Sequence, residues 1–396
     1  MSDIKQISSP IFMSYPTNLQ CSIKDVIISS IMNEHHFSAP GRVEIGGNHT
    51  DHQHGRVLTA SIDLKIKCTA AANKTDNVRI ISEHFGEINT NLNHIDIAHY
   101  SDIGTSAALI RGVGAWFVKN NYPIGGFDAK ITSSIPAGAG LSSSAAFEVL
   151  IGKIFKGLFS SCITPLEIAF AGKFAENVYF GKPCGLMDQI ASSFGGLLTI
   201  DFANPQNPTV TPLTSEFPGY VMCIINTGGS HADMTAEYSA IQSEMATISN
   251  YFGADNLRDV HPDSFYSSLA HLRPLGDRAV LRAIHFFEEN ERVIHQISAL
   301  KNNDIQTFLD LINESGRSSL AYLQNVYNPS SPNYQGITLA LALSEKILNN
   351  KGACRVHGGG FAGTILAFVP VDYKENYRQK MENIFGGNSC YFLDIV

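Results

Sequence analysis

Apolar and polar residues alternate along Val57-Leu58-Thr59-Ala60-Ser61-Ile62-Asp63-Leu64-Lys65-Ile66-Lys67, which predicts a β-strand, and the same pattern gives strands at Val78–Ile81 and Phe127–Ile131. Helical spacing fills the ground between them. Ala107, Leu109, Ile110, Val113 and Phe117 recur at three- and four-residue steps, as do Ala146, Val149, Leu150, Ile154 and Leu158. Beyond about residue 200 long helical patterns take over, near 232–251, 276–300, 304–324 and 334–349, and a strand-like pair flanks a glycine cluster at 353–369. The pattern predicts an α+β protein with an N-terminal domain over 1–205 and a more helical C-terminal domain over 206–396. No repeat of fixed period is present, which removes solenoids and propellers.

A chain of 396 residues is too long for one core of usual size, so composition agrees with two domains. Hydrophobic residues at 44% and charged residues at 16% describe an ordinary folded protein. The net charge of -8 excludes a surface built as a whole to hold nucleic acid, which needs a basic field. Phosphate ligands stay open, because backbone N–H groups and a bound cation make such a site locally. The opening MSDIKQISSPIFMSYP lacks the basic and apolar regions of a secretory signal, so no export is expected. No uncharged apolar stretch reaches about 18 residues, so no membrane partner is expected either. Seven cysteines lie scattered from Cys21 to Cys390 without a C-x-x-C pair, which predicts reduced thiols and a cytoplasmic protein.

The strongest chemical signal is Ile135-Pro136-Ala137-Gly138-Ala139-Gly140-Leu141-Ser142-Ser143-Ser144-Ala145-Ala146, set between a strand and an amphipathic helix. Glycines permit a tight loop with converging N–H groups, and small residues open the helix without blocking its N-terminus. That is an anion cradle; the bland alternative is a glycine turn with serine caps. No G-x-x-x-x-G-K-S/T occurs, which disfavours P-loop NTPases. Gly358 to Gly363 fits G-x-G-x-x-G, but strand-like Thr364–Val369 follows where a dinucleotide site needs a helix, so the match is accidental.

Pro136 to Ala146 resembles the second motif of the GHMP kinases, the family of galactokinase, homoserine kinase, mevalonate kinase and phosphomevalonate kinase. Ala39-Pro40-Gly41-Arg42-Val43-Glu44-Ile45-Gly46-Gly47-Asn48-His49-Thr50-Asp51 resembles the galactokinase signature A-P-G-R-V-N-L-I-G-E-H-T-D-Y, and Gly352 to Gly363 is similar to the family's third motif. Ala175 to Gln189, with Cys184-Gly185-Leu186-Met187-Asp188-Gln189, looks like the galactokinase branch. The resemblance implies a two-domain GHMP kinase fold with its active site in the cleft between domains, and ATP-dependent phosphorylation of a sugar's anomeric hydroxyl.

The resemblance also implies roles. Asp188 would accept the proton of the C1 hydroxyl, with Arg42 holding it ionised and stabilising the phosphoryl oxygens. Gly138, Ala139, Gly140, Leu141, Ser142, Ser143 and Ser144 would cradle the phosphates of ATP, and Ser144 and Glu176 would hold Mg²⁺, an ion suited to hard oxygen ligands. Asn48, His49, Thr50, Asp51, Tyr238 and Gly185 would contact the sugar. The imidazoles of His49, His52 and His54 have zinc-compatible spacing, against which the resemblance assigns His49 and Asp51 to sugar hydroxyls.

Two departures bear on substrate. Galactokinases usually carry Glu at the position of Asn48, where it accepts from the C6 hydroxyl, and Tyr at that of His52. A neutral Asn would tolerate a C6 carboxylate, and galacturonokinases resemble this chain in reading D-H-Q, so galacturonate is the alternative to galactose. The segment Asn226 to Tyr238 resembles the galactokinase stretch that places a Tyr near the sugar, although Gln242 and Ser243 stand near where arginines commonly follow. A third reading, a non-catalytic galactose sensor, is opposed by the complete Gly140–Ala146 core and by Asp188.

Overall fold

Two long strands, β1 (His35–Gly46) and β2 (Arg56–Ala72), each contribute to both of the compact units into which the chain divides. The computed structural model describes residues 34–396 except 84–85, 99, 137, 160–161 and 230–233. The N-terminal leader reading therefore lies outside the described residues, as do Ser230 to Asp233 of the 226–238 segment. Among described residues the first unit holds 34–42, 63–136 and 142–195, and the second holds 43–62, 138–141 and 196–396. A single cut at 205 does not separate them, because β1 and β2 run on from one unit into the other.

In the first unit, β3 (Asn77–Ser82), β4 (Gly86–Asn91) and β5 (Phe127–Ser133) join the Asp63–Ala72 half of β2 in the order β4-β3-β5-β2. The β3–β5 pair is parallel and its neighbours antiparallel. Alternation explains the strands, since Val78, Ile80, Phe127 and Ile131 are buried while their neighbours face outward. Among the described residues this unit holds the α-helices α1 (Ser106–Lys119), α2 (Ser143–Phe159), α3 (Pro165–Phe174) and α4 (Met187–Phe194). Thr105 caps α1 by accepting from the Ala108 N–H at 3.2 Å, and Thr164 and Glu167 form a capping box on α3. A π-turn over Ala175–Phe180 follows α3. Gly112 of α1 lets it close in, because a Cβ there would stand 2.6 Å from the Ala175 Cα.

In the second unit β6 (Leu197–Asp201) pairs with residues 56–60 of β2, and β7 (Thr209–Leu213) pairs with β6. Next come β8 (Tyr220–Asn226), α5 (Thr235–Tyr251) and two short helices, α6 (Pro262–Ser267) and α7 (Leu269–Leu272). After them run α8 (Asp277–Lys301), α9 (Ile305–Ser318) and α10 (Gly336–Leu348). The chain then forms β9 (Ala353–Val356), β10 (Thr364–Pro370), α11 (Lys374–Phe385) and β11 (Cys390–Leu393). An antiparallel sheet of order β11-β8-β10-β9 buries Ile225, Val356, Ile365 and Ala367 with Ile337 of α10 and Tyr377 of α11. A second core joins Ile241 and Met245 of α5 to Ala283 and Phe286 of α8. Ile62 bridges to Ile395, and Val396 exchanges backbone hydrogen bonds with Ser61 and Gly196.

Cys68, Cys184, Cys223, Cys354 and Cys390 are free, whereas Cys162 is disulfide-bonded, which corrects the expectation of reduced thiols throughout. No described helix is long and apolar enough to cross a membrane.

Candidate active site

Within the first unit, Arg42 stands where β1 has become fully buried and Asp188 in the first turn of α4, where a negative charge meets the favourable end of the helix dipole. The guanidinium grips the carboxylate at both oxygens, with Nε donating to Oδ1 at 2.7 Å and Nη2 to Oδ2 at 2.8 Å. The Ser142 hydroxyl donates to the same Oδ2. Desolvation pushes the Asp188 pKa up, but the Arg42 charge and the hydrogen bonds from Arg42 and Ser142 outweigh it and hold the group below the usual carboxylate range. Asp188 keeps 32% of its side chain exposed, so an ionised, oriented carboxylate is available to a ligand.

Ser142 reaches Asp188 from a left-handed backbone conformation, φ 57°, unusual for a residue with a Cβ. Gly138 and Gly140 before it are also left-handed, at 73° and 67°, so the chain curls tightly into α2. The first-turn N–H groups of α2, from Ser143 onward, have no acceptor within the helix by its own geometry. Ala139 and Leu141 are buried, which anchors the loop.

Two residues after Ser142, the Ser144 hydroxyl lies 3.4 Å from Glu176 Oε1 in the π-turn. Glu176 is buried, and Lys182 Nζ donates to the same oxygen at 3.2 Å. Glu148, fully buried one turn along α2, faces it: the Gln189 amide nitrogen donates to Glu148 Oε2 at 3.0 Å and to Glu176 Oε2 at 3.1 Å. Glu148 Oε1 has no hydrogen-bond partner. Burial first, and then the Glu176 charge, push the Glu148 pKa well up. Two hard oxygens, Ser144 Oγ and Glu176 Oε1, with an unsatisfied carboxylate oxygen behind them, suit a Mg²⁺ ion that draws its other ligands from water and phosphate.

The second unit holds the turn that follows β1. Gly47 has φ 87°, and a Cβ there would meet the Arg56 carbonyl oxygen at 2.3 Å, so the position demands glycine. Thr50 is buried with Oγ1 at 2.9 and 2.6 Å from the carbonyls of Gly47 and Arg56. Glu289 of α8 accepts from the Gly47 N–H at 3.0 Å and the Ser315 hydroxyl at 2.7 Å. Burial would raise the Glu289 pKa, yet the charges of Arg292, His285 and Arg355 bring it down to about 2.

Asn48 points inward. Its Nδ2 donates to Glu44 Oε1 at 2.8 Å and to the Gly358 carbonyl at 2.7 Å, while Oδ1 accepts from Asn325 Nδ2 at 2.9 Å and Ser319 Oγ at 3.4 Å. Every hydrogen-bonding position of the amide is taken, and no part of the residue is exposed. Thr50 is spent on the turn in the same way. His49 at φ 58°, Asp51 and exposed Gly185 keep partial access. His49 Nε2 donates to the Gly359 carbonyl at 3.0 Å, and burial lowers its pKa to about 4, so the ring is neutral. The Tyr238 ring lies 6.5 Å from that of His49, with its hydroxyl donating to the Gly360 carbonyl at 3.1 Å.

Among the described residues no group of three or more His, Cys, Asp and Glu side chains is placed to hold a metal ion. Thr364 opens β10 directly after Gly363, as expected for an accidental G-x-G-x-x-G. Sequence reasoning missed Glu44, Glu148, Lys182, Glu289, Asn325 and Arg355. A charged residue inside apolar runs, as in Ala353-Cys354-Arg355-Val356, was the available signal.

The description "GHMP kinases N terminal domain" fits residues 108–196, and "Galactokinase galactose-binding signature" fits residues 30–73. A galactokinase of Glaesserella parasuis is 33% identical over 366 residues, spanning 89% of this chain and 91% of the relative. One from Haemophilus influenzae is 31% identical over 346 residues, spanning 86% of each. Among solved structures, Lactococcus lactis galactokinase complexed with galactose matches with a TM-score of 0.79 at 24% identity, over 94% of this chain and 96% of that one. Methanococcus jannaschii mevalonate kinase matches at 0.65 and 16% identity, over 92% and 99%, a likeness of fold.

Proposed function

The chain belongs to the galactokinase family of the GHMP kinases, and from that premise we propose that it moves the γ-phosphoryl group of ATP to the anomeric C1 hydroxyl of galactose. The observation that carries the reading is the Arg42–Asp188–Ser142 cluster, an ionised carboxylate fixed at both oxygens beside the curl that opens α2.

In this reading Asp188 Oδ accepts the hydroxyl proton as the C1 oxygen bonds to the γ-phosphorus, while the bond from that phosphorus to the β,γ-bridging oxygen breaks and ADP leaves with the electron pair. Arg42 keeps the carboxylate ionised and lends positive charge to the transferring oxygens, where charge spreads in the transition state. Gly138 to Ser144 hold the phosphates through loop and helix N–H groups. Ser144 and Glu176 would hold Mg²⁺, which would supply positive charge against the phosphate oxygens. His49, Asp51, Tyr238 and the Gly185 backbone receive the sugar, while Asn48, Thr50 and Glu289 keep the turn in shape. The cytoplasm is where such an enzyme meets ATP.

One assay tests this: ATP consumption with galactose, galacturonate, N-acetylgalactosamine, glucose, mevalonate and homoserine, with phosphorus NMR of the product. A sugar 1-phosphate from galactose supports the reading. Preference for galacturonate moves the substrate, and absence of sugar-dependent turnover overturns the reading.

A further inference from the structure

Glu176 is served from two directions by one residue. The Lys182 N–H donates to the Glu176 carbonyl at 3.0 Å, closing the π-turn through left-handed Gly181, and the Lys182 ammonium returns to Glu176 Oε1 at 3.2 Å. The two partners differ in exposure: Glu176 shows 4% of its side chain to solvent and Lys182 shows 63%. A cation arriving from water therefore sits over a buried anion. Behind Glu176 stands a second buried carboxylate, Glu148, tied to it through Gln189 and left with one oxygen unpartnered. Asp188 is satisfied separately by Arg42, and among the described residues Lys182 is the cation that pairs with Glu176, with Glu148 behind it.

We propose that Lys182 is a tethered counter-ion for the Glu148–Glu176 pair, which holds Glu176 in its cation-ready position and gives up Oε1 when a divalent ion enters. A buried carboxylate without a partner is costly, so a site formed before its metal arrives needs a substitute charge. A lysine on a flexible, exposed stem supplies one that can leave, because a compact ammonium on a solvent-facing chain is held weakly. Lys182 thus competes with the ion for the same oxygen and sets how much metal the protein requires. This inference rests on the reading of Glu176 as a metal ligand.

The test is Mn²⁺ alone, titrated into the nucleotide-free protein and followed by the paramagnetic resonance of the free ion. Lys182→Met and Lys182→Gln, both at an exposed position, are each expected to bind Mn²⁺ roughly three- to tenfold more tightly than the parent, the size of one exposed ion pair removed from competition. Lys182→Arg keeps the charge and is expected to stay near the parent. The Mg²⁺ concentration for half-maximal turnover should move down by a similar factor in the first two variants. Unchanged or weaker Mn²⁺ binding in both neutral variants overturns the proposal, as does absence of binding in every form. Glu176→Gln separates the two layers. If it does not weaken Mn²⁺ binding, the metal reading of Glu176 fails; if it does while the neutral variants fail to tighten binding, only the role of Lys182 fails.

Discussion

Asn48 Nδ2 donates to Glu44 Oε1 at 2.8 Å, and Arg355 Nη2 donates to that same oxygen at 2.8 Å. The galactokinase signature has Asn where this chain has Glu44 and Glu where it has Asn48, so carboxylate and amide have changed places across one contact. Arg355 is fully buried and makes the exchange tolerable, since it neutralises the charge in its new place. Asn48→Glu is then expected to press two buried carboxylates together and destabilise the protein by about 3–5 kcal/mol. Adding Glu44→Asn should recover most of that loss. Denaturant unfolding of the single and double variants measures both, and additive losses would show that the pair is not coupled.

Asp188→Asn keeps the shape but removes the proton acceptor and the charge that Arg42 grips. The expected result is a fall in kcat of roughly 100-fold or more with nucleotide affinity little changed. Turnover near the parent rate would take Asp188 out of the chemistry.

Glu176→Gln retains an oxygen but loses its charge. Half-maximal turnover should then need roughly tenfold or more Mg²⁺, with binding of free sugar unaffected, because a hard divalent ion prefers a carboxylate to an amide. An identical Mg²⁺ titration would point to other ligands.

Acid should weaken the fold in two stages. Burial lowers His49 from 6.5 to about 4 and His52 from 6.5 to about 3, so below pH 6.5 the unfolded chain takes up protons that the folded chain refuses. Stability therefore falls with pH across that window, by up to about 1.4 kcal/mol per pH unit for each proton. Glu289, lowered from 4.5 to about 2, adds a second loss as pH drops through that range. His52→Phe is expected to remove about half of the slope of the first stage, leaving the His49 share, and to leave the second. An unfolding free energy that is level from pH 7 to 5 would contradict both assignments.

Much of this was legible in the chain. Helices α8 and α10 announced themselves by spacing, and the loop at 135–146 by its glycines and serines, because those signals are local. Strand β1 was hidden, since from Ala39 to Gly46 every residue is buried and no alternation survives. The partners of the 46–50 turn were hidden for another reason. Glu289, Asn325 and Arg355 lie more than 200 positions away in sequence, and a buried polar residue shows its purpose only once its partner is brought to it. Asn48 illustrates the limit: its place in a signature says nothing of Ser319, Asn325 and Gly358, three of the four residues that hold its amide.

The bridge from Ile62 to Ile395 imposes a schedule on biosynthesis. Some 330 residues separate the two, so the early strand must wait on the ribosome for roughly 15–70 s before its late partner exists, at ordinary elongation rates. During that interval the backbone at Ser61 and Ile62 is without the partners that Ile395 and Val396 later supply, and is open to other pairings.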